Sequence, residues 1–124
     1  MALKRAVRLR KNGDFQRVRQ QGRSVSSRLL ILAWGPNDVA RLRIGFVVSK
    51  RISKRAVERN HLKRLLGEAV RMFLPGLPPG VDIVISARNA ASTADLQTLE
   101  SDIRILLQRA KLLAVAPGTT NPIT

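Results

Sequence analysis

The sequence predicts an α/β sandwich of the α+β class, a two-layer domain in which a small mixed sheet carries its helices on one face. Three observations predict it. Apolar residues recur at helical spacing in three stretches, and three others read as short strands, in the order α-β-β-α-β-α. The 124 residues suit one compact domain that buries about two-thirds of its unfolded surface. No internal repeat, long linker or low-complexity segment divides the chain.

Residues 1–11 form a basic arm, and 12–21 read as a short helix with Phe15 and Val18 at i, i+3 and Gly22 as its stop. LLILAW, 29–34, is a buried strand bounded by the turn cluster Gly35-Pro36-Asn37-Asp38. RLRIGFVVSK, 41–50, reads as a strand paired antiparallel with it across that turn. Residues 54–74 form a helix with Leu62, Leu65, Leu66, Ala69, Val70 and Phe73 on one arc. PGLPPG, 75–80, stops it. A strand follows over 81–88, with Val81, Ile83, Ile85 and Ala87 on one face and a half-wet face opposite. The last helix, 92–113, places Leu96, Leu99, Ile103, Leu106 and Ala110 at helical spacing, and 114–124 read as a disordered tail. The predicted domain is therefore 1–113.

Charge directs the functional reading. The net charge is +15, and residues 1–71 hold 19 of the 23 Lys and Arg but four of the eight acids. A segregated charge makes a face with a long-range field for polyanions. It is densest in KRISKRAVERNHLKR, 50–64, where seven cations meet one acid, Glu58. Cations at a helix start oppose its dipole at a cost of a few tenths to about 1 kcal/mol each. The last helix follows the opposite logic, with Asp95, Glu100 and Asp102 early and Arg109 and Lys111 late. The first pattern calls for an external counter-charge, and the phosphates of nucleic acid supply one. A membrane anchor would pair its cations with an apolar helix face, and no such pattern or bilayer-length apolar run occurs.

Signatures of a protein-based enzyme are missing. There is no cysteine, His61 is the only histidine, and the acids are too scattered to hold two metal ions. No glycine-rich phosphate loop appears. The N-terminus, basic without a following apolar core, does not read as a secretory signal.

GFVVSKRISKRAVERNHLKRLLGE resembles the signature of the bacterial ribonuclease P protein family, an Arg-Asn-Arg core followed by Lys-Arg, with Arg59, Asn60, Lys63 and Arg64 on the motif. NGDFQRVRQQG, 12–22, is similar to that family's first helix with its Asp-Phe pair and terminal Gly, and the resemblance spans 8–113. It implies a left-handed βαβ crossover through the basic helix, against the usual right-handed rule. It also implies a protein subunit that binds the catalytic ribonuclease P RNA and the 5′ leader of precursor tRNA, supporting endonucleolytic formation of the mature 5′ end. The RNA would perform the hydrolysis with Mg2+, and the protein would bind no metal or cofactor of its own. By the same resemblance the protein would be cytoplasmic and monomeric, in a one-to-one complex with the RNA. Carried over by position, Phe15, Arg17, Arg19 and Lys50 would line the leader cleft, and Arg51, Lys54, Arg55, Arg59, Asn60, His61, Lys63 and Arg64 would meet RNA.

The chain departs from the family pattern in three ways. His61 and Gly67 stand where arginines are expected, Arg19 where a second aromatic is common, and Ala33 where a strand aromatic can occur, with Trp34 one residue on. A cleft that holds the leader more by charge than by stacking is the expectation. The alternatives are a ribosomal or ribosome-assembly RNA-binding protein and a DNA-binding regulator. The latter lacks the scaffold helix and short turn that helix-turn-helix docking needs.

Overall fold

A computed structural model describes residues 5–113. After a 3-10 turn at Arg5–Val7 come α1 (Asn12–Gln21), β1 (Arg23–Ser26), β2 (Leu30–Pro36), β3 (Arg43–Val47) and α2 (Ala56–Arg71). A 3-10 turn at Leu74–Gly76, β4 (Val81–Ala87), another at Asn89–Thr93 and α3 (Leu96–Arg109) complete it. The expected tail at 114–124 and the first four residues of the arm lie outside the described residues.

The sheet has four strands in the order β1-β2-β4-β3. β2 pairs antiparallel with β1 and β4, and β3 runs parallel to β4. The expected pairing of 29–34 with 41–50 is therefore corrected, because β4 lies between them. β4 offers buried apolar side chains to both faces through Ile83, Val84 and Ile85, as a central strand requires. β3, with Gly45 and the half-buried Phe46 and Val47, suits an edge. The turn cluster reverses the chain without making the two strands neighbours. Its loop is held to β4 instead, with the Asn37 side-chain amide donating to Asp82 Oδ1 and to the Arg41 carbonyl, each at 2.8 Å.

β1 was not foreseen: RSVS is short, polar and carries one half-buried apolar residue, Val25. It is joined to β2 through Ser27, whose Oγ accepts from the Leu29 and Leu30 amides and donates to Asp102 on α3.

The mixed sheet and its helices match the expected fold class. α2 and α3 cover one face, where Leu30, Leu32, Ile44, Ile83 and Ile85 join Leu62, Leu66, Leu99, Ile103 and Leu106 in the main core. Helices on one face holds for these two alone. α1 lies on the other face, where Val18, Phe15 and Leu9 pack on Ala33, Val47 and Val84. Two properties of β4 explain this. Val84 offers apolar surface worth about 1.5–3 kcal/mol when fully covered, and the neighbouring Asp82 is a buried carboxylate that needs a cation. α1 supplies both, through Val18 and Arg17.

Helix boundaries also move. α2 begins at Ala56, so Lys50, Arg51, Lys54 and Arg55 occupy the preceding turn and loop rather than a first helical turn. The dipole cost therefore falls on Arg59, with Glu58 beside it in the first turn. α3 begins at Leu96 and is capped by Asp95, whose side chain accepts from the Thr98 amide at 2.8 Å. Hydrogen bonds from the Thr98 side chain and then its amide hold the Asp95 carboxyl below its ordinary pKa.

Candidate nucleic-acid interface

Because β3 is an edge strand with α1 on one face and α2 on the other, both helices overhang its open side. Between them lies a cleft of about 840 Å³. α1 contributes Phe15 and Arg19, β3 contributes Gly45 and Phe46, and α2 contributes Asn60, Lys63 and Arg64. Arg8 and Arg10 close it from the N-terminal segment. That segment is anchored by buried Leu9, whose amide donates to the Ile44 carbonyl at 2.9 Å. Since successive backbone groups of a strand alternate sides, Phe46 also turns its amide and carbonyl outward. Cations commonly guard such an edge against strand addition. Here they line a channel suited to an extended polyanion.

The cleft depends on one glycine. Gly45 lies under the Phe15 ring, and a Cβ there would overlap it. Phe15 is consequently both a half-buried packing residue and part of the cleft surface.

The expected site residues fall into separate groups. Phe15, Arg19, Asn60, Lys63 and Arg64 meet in the cleft. Lys50, Arg51, Lys54 and Arg55 are exposed on the turn and loop before α2. Arg59 folds back onto that loop, its guanidinium donating to the Ser53 and Lys54 carbonyls at 3.0 and 2.9 Å. Glu58 accepts from Ser53 Oγ and pairs with Arg55 at 3.6 Å. His61 lies in a different groove, beside Val57 and Leu65. Gly67 is buried within α2.

Arg17 does not line the cleft. It sits 200° around α1 from Phe15 at 100° per residue. Its guanidinium donates to Asp82 Oδ2 at 2.5 Å and to the Pro36 carbonyl at 2.9 Å. Arg43 completes the site, donating from Nε and Nη2 to the two Asp82 oxygens at 2.8 Å each. Burial pushes the Asp82 carboxyl up, but hydrogen bonds from Arg43 and Asn37, the Arg43 charge and the Arg17 hydrogen bond outweigh it, and the pKa falls below its ordinary value. The Asp82 hydrogen bond in turn raises Arg43. Sequence reasoning misses Asp82, and it reads Arg8 and Arg10 as part of a basic arm without placing them at the cleft. Among the described residues, no group of three or more His, Cys, Asp or Glu could hold a metal ion, and no helix is long and apolar enough to cross a membrane.

An α+β domain with a cationic channel along an edge strand and a basic loop leading into a helix defines a polyanion-binding protein of a small, single-sheet class. The family model described as Ribonuclease P matches residues 3–111. A "Ribonuclease P protein component" of Chloroflexus aurantiacus is 44% identical over 120 residues, covering 96% of this chain and 86% of that protein. One of Caldanaerobacter subterraneus is 38% identical over 106 residues, covering 86% and 90%. Among solved structures, a Staphylococcus aureus RNase P protein superposes with a TM-score of 0.77 at 30% identity, covering 88% of this chain and 99% of that one. The Thermotoga maritima RNase P protein does so with 0.73 at 30%, covering 82% and 96%. The chain belongs to the ribonuclease P protein family, the protein components of a tRNA-processing endonuclease that is a ribonucleoprotein.

Proposed function

We propose that this protein binds two RNAs on different parts of its surface. The loop before α2, with Arg51, Lys54 and Arg55, and the adjoining α2 surface face the catalytic ribonuclease P RNA. The channel between α1 and α2 takes the single-stranded 5′ leader of precursor tRNA. The observation that carries this reading is the convergence of Phe15 and Arg19 from α1 with Asn60, Lys63 and Arg64 from α2 on one open strand edge. Phe15 offers a face for a base, and the cations offer counter-charges for phosphates. Asn60 supplies both a donor and an acceptor for a base edge or ribose.

Among the described residues, the channel lining includes no Asp, Glu, His, Cys, Ser or Thr. Its contribution is electrostatic and positional, and the hydrolysis belongs to the RNA with its Mg2+. Residues 1–113 act as one RNA-binding domain, as a monomer in a one-to-one complex with the RNA in the cytoplasm. The ribosomal alternative is displaced by the family membership.

Cleavage of a precursor tRNA by a bacterial ribonuclease P RNA at limiting Mg2+, with and without the protein, tests the reading. Restored cleavage leaving a mature 5′ end is the expected result. RNA binding without rescue would count against it.

A further inference from the structure

α2 has a second working side. Val57, His61 and Leu65 recur at i, i+4 and i+8, which places them in one stripe along the helix. They form one wall of a groove of about 670 Å³ whose lining shares no residue with the leader channel. Ser92, Thr93 and Ala94, from the chain entering α3, form the other. Val57 is 74% exposed in the first turn of α2. An isolated exposed valine needs no explanation. This one stands at the rim of a groove with an apolar floor that includes Ile52 and Leu62. Glu58, the acid in its lining, is engaged by Ser53 Oγ and Arg55, and the exposed cations Arg51 and Lys54 flank the lining residues Ile52 and Ser53 in the chain.

A flat apolar body with a polar edge and an attached negative charge fits those walls. A nucleobase has this form. Its face would meet Val57 and the imidazole of His61, a side chain on which unstacked RNA bases pack. Its edge would reach the Ser92 and Thr93 hydroxyls, each able to donate or accept. The adjoining phosphates would meet Arg51 and Lys54, since Arg55 is paired with Glu58 and Arg59 is engaged by loop carbonyls. A long apolar peptide or lipid chain would leave the Ser92 and Thr93 hydroxyls and the His61 imidazole of the lining unused.

We infer that the groove between α2 and the chain entering α3 docks an unpaired base of the catalytic RNA, held by Val57 and His61. The inference rests on the two-RNA reading above and adds to it a base contact separate from the leader channel. It also gives His61, which stands where the family pattern has a cation, a stacking role in place of a charge.

The test is a titration of the catalytic RNA without precursor tRNA, repeated across a salt series, for wild type, Val57→Asn, Val57→Leu and Lys54→Ala, with circular dichroism to verify folding. Val57→Asn should weaken binding about tenfold, as loss of apolar contact does, with the salt slope unchanged because no charge is removed. Val57→Leu, which keeps an apolar side chain at the rim, should weaken binding less than Val57→Asn. Lys54→Ala should weaken binding and flatten the slope by about 0.7 to 0.9 for its one phosphate. Wild-type affinity in Val57→Asn would overturn the assignment and give the groove to another class of partner. A Val57→Asn loss accompanied by a flatter slope would also overturn it, by showing that the cationic loop had moved. If wild type itself fails to bind the RNA, the two-RNA reading falls rather than the groove alone.

Discussion

Asp82 is a carboxylate with no exposed surface, and it sets the position of α1. It accepts from Arg17 on α1, from Arg43 on β3 and from Asn37 in the loop between β2 and β3, so one side chain ties three elements to the central strand. Breaking a buried pair leaves the surviving charges uncompensated. Asp82→Asn is therefore expected to lower unfolding stability by about 3–5 kcal/mol in a urea titration. Arg17 is partly exposed, and its removal should cost less. The pH dependence follows from the depressed carboxyl. Its contribution is complete above the unfolded value of about 3.9 and is lost as pH falls through the lower folded value. Wild type should thus lose stability in acid below about pH 4 more steeply than Asp82→Asn, and a pH series of urea midpoints checks it. Arg17 shows what the sequence could have revealed at this scale. Helical geometry alone separates it from Phe15 and Arg19, but its partner lies 65 residues away on a strand whose Asp reads as a wet-face residue.

At the scale of elements, the channel proposed for the leader is made by a helix lying on a glycine. Gly45→Ala would drive a methyl group into the Phe15 ring, and overpacking of this kind costs about 1–3 kcal/mol. The ring must then leave its seat or α1 must lift, and either change alters the channel. The variant should bind leader-bearing precursor tRNA more weakly while its affinity for mature tRNA changes little. Equal losses for both would show general destabilisation instead. Helices were legible because their apolar spacing is local: Phe15 and Val18 place α1, and Leu62, Leu66 and Val70 place the buried side of α2. Strand order was not, because adjacency depends on which strand can bury both faces, and the turn at Gly35-Pro36-Asn37-Asp38 says only that the chain reverses. β1 was invisible for another reason. Its four residues contain one apolar side chain, and their pairing is stabilised by Ser27 and by Arg109, which donates to the Ser26 carbonyl from α3. The motif around Arg59 was legible as a cluster of residue types but not as a geometry. Asn60, Lys63 and Arg64 face one channel, His61 faces a groove, and Arg59 braces a loop.

At the scale of the molecule, charge is concentrated on the two surfaces proposed to face RNA, while residues 72–124, α3 among them, carry four cations and four acids. In the channel proposed for the leader the balance is uneven: Arg8, Arg10, Arg19, Lys63 and Arg64 surround Phe15, with Phe46 contributing from the strand edge. Stacking on an aromatic is insensitive to salt, whereas each phosphate neutralised on a single strand adds about −0.7 to the slope of log affinity against log salt. A channel with two bases stacked and one phosphate held would give a shallow slope. This one should give a steep one, about −2 if three phosphates are engaged. The quantity to measure is the affinity of the assembled ribonucleoprotein for leader-bearing precursor tRNA divided by that for mature tRNA, followed through a salt series. The ratio removes contacts common to both tRNAs and leaves the leader's share. Arg19→Phe should move the balance from charge toward stacking. It should flatten the slope by about 0.7 and keep more of the affinity at high salt, because an aromatic at this position shares the channel-facing side of α1 with Phe15 at i, i+4. A wild-type ratio that stays constant across the salt series would exclude phosphate contacts as the source of leader affinity, and the burden would pass to Phe15 and the open backbone of β3.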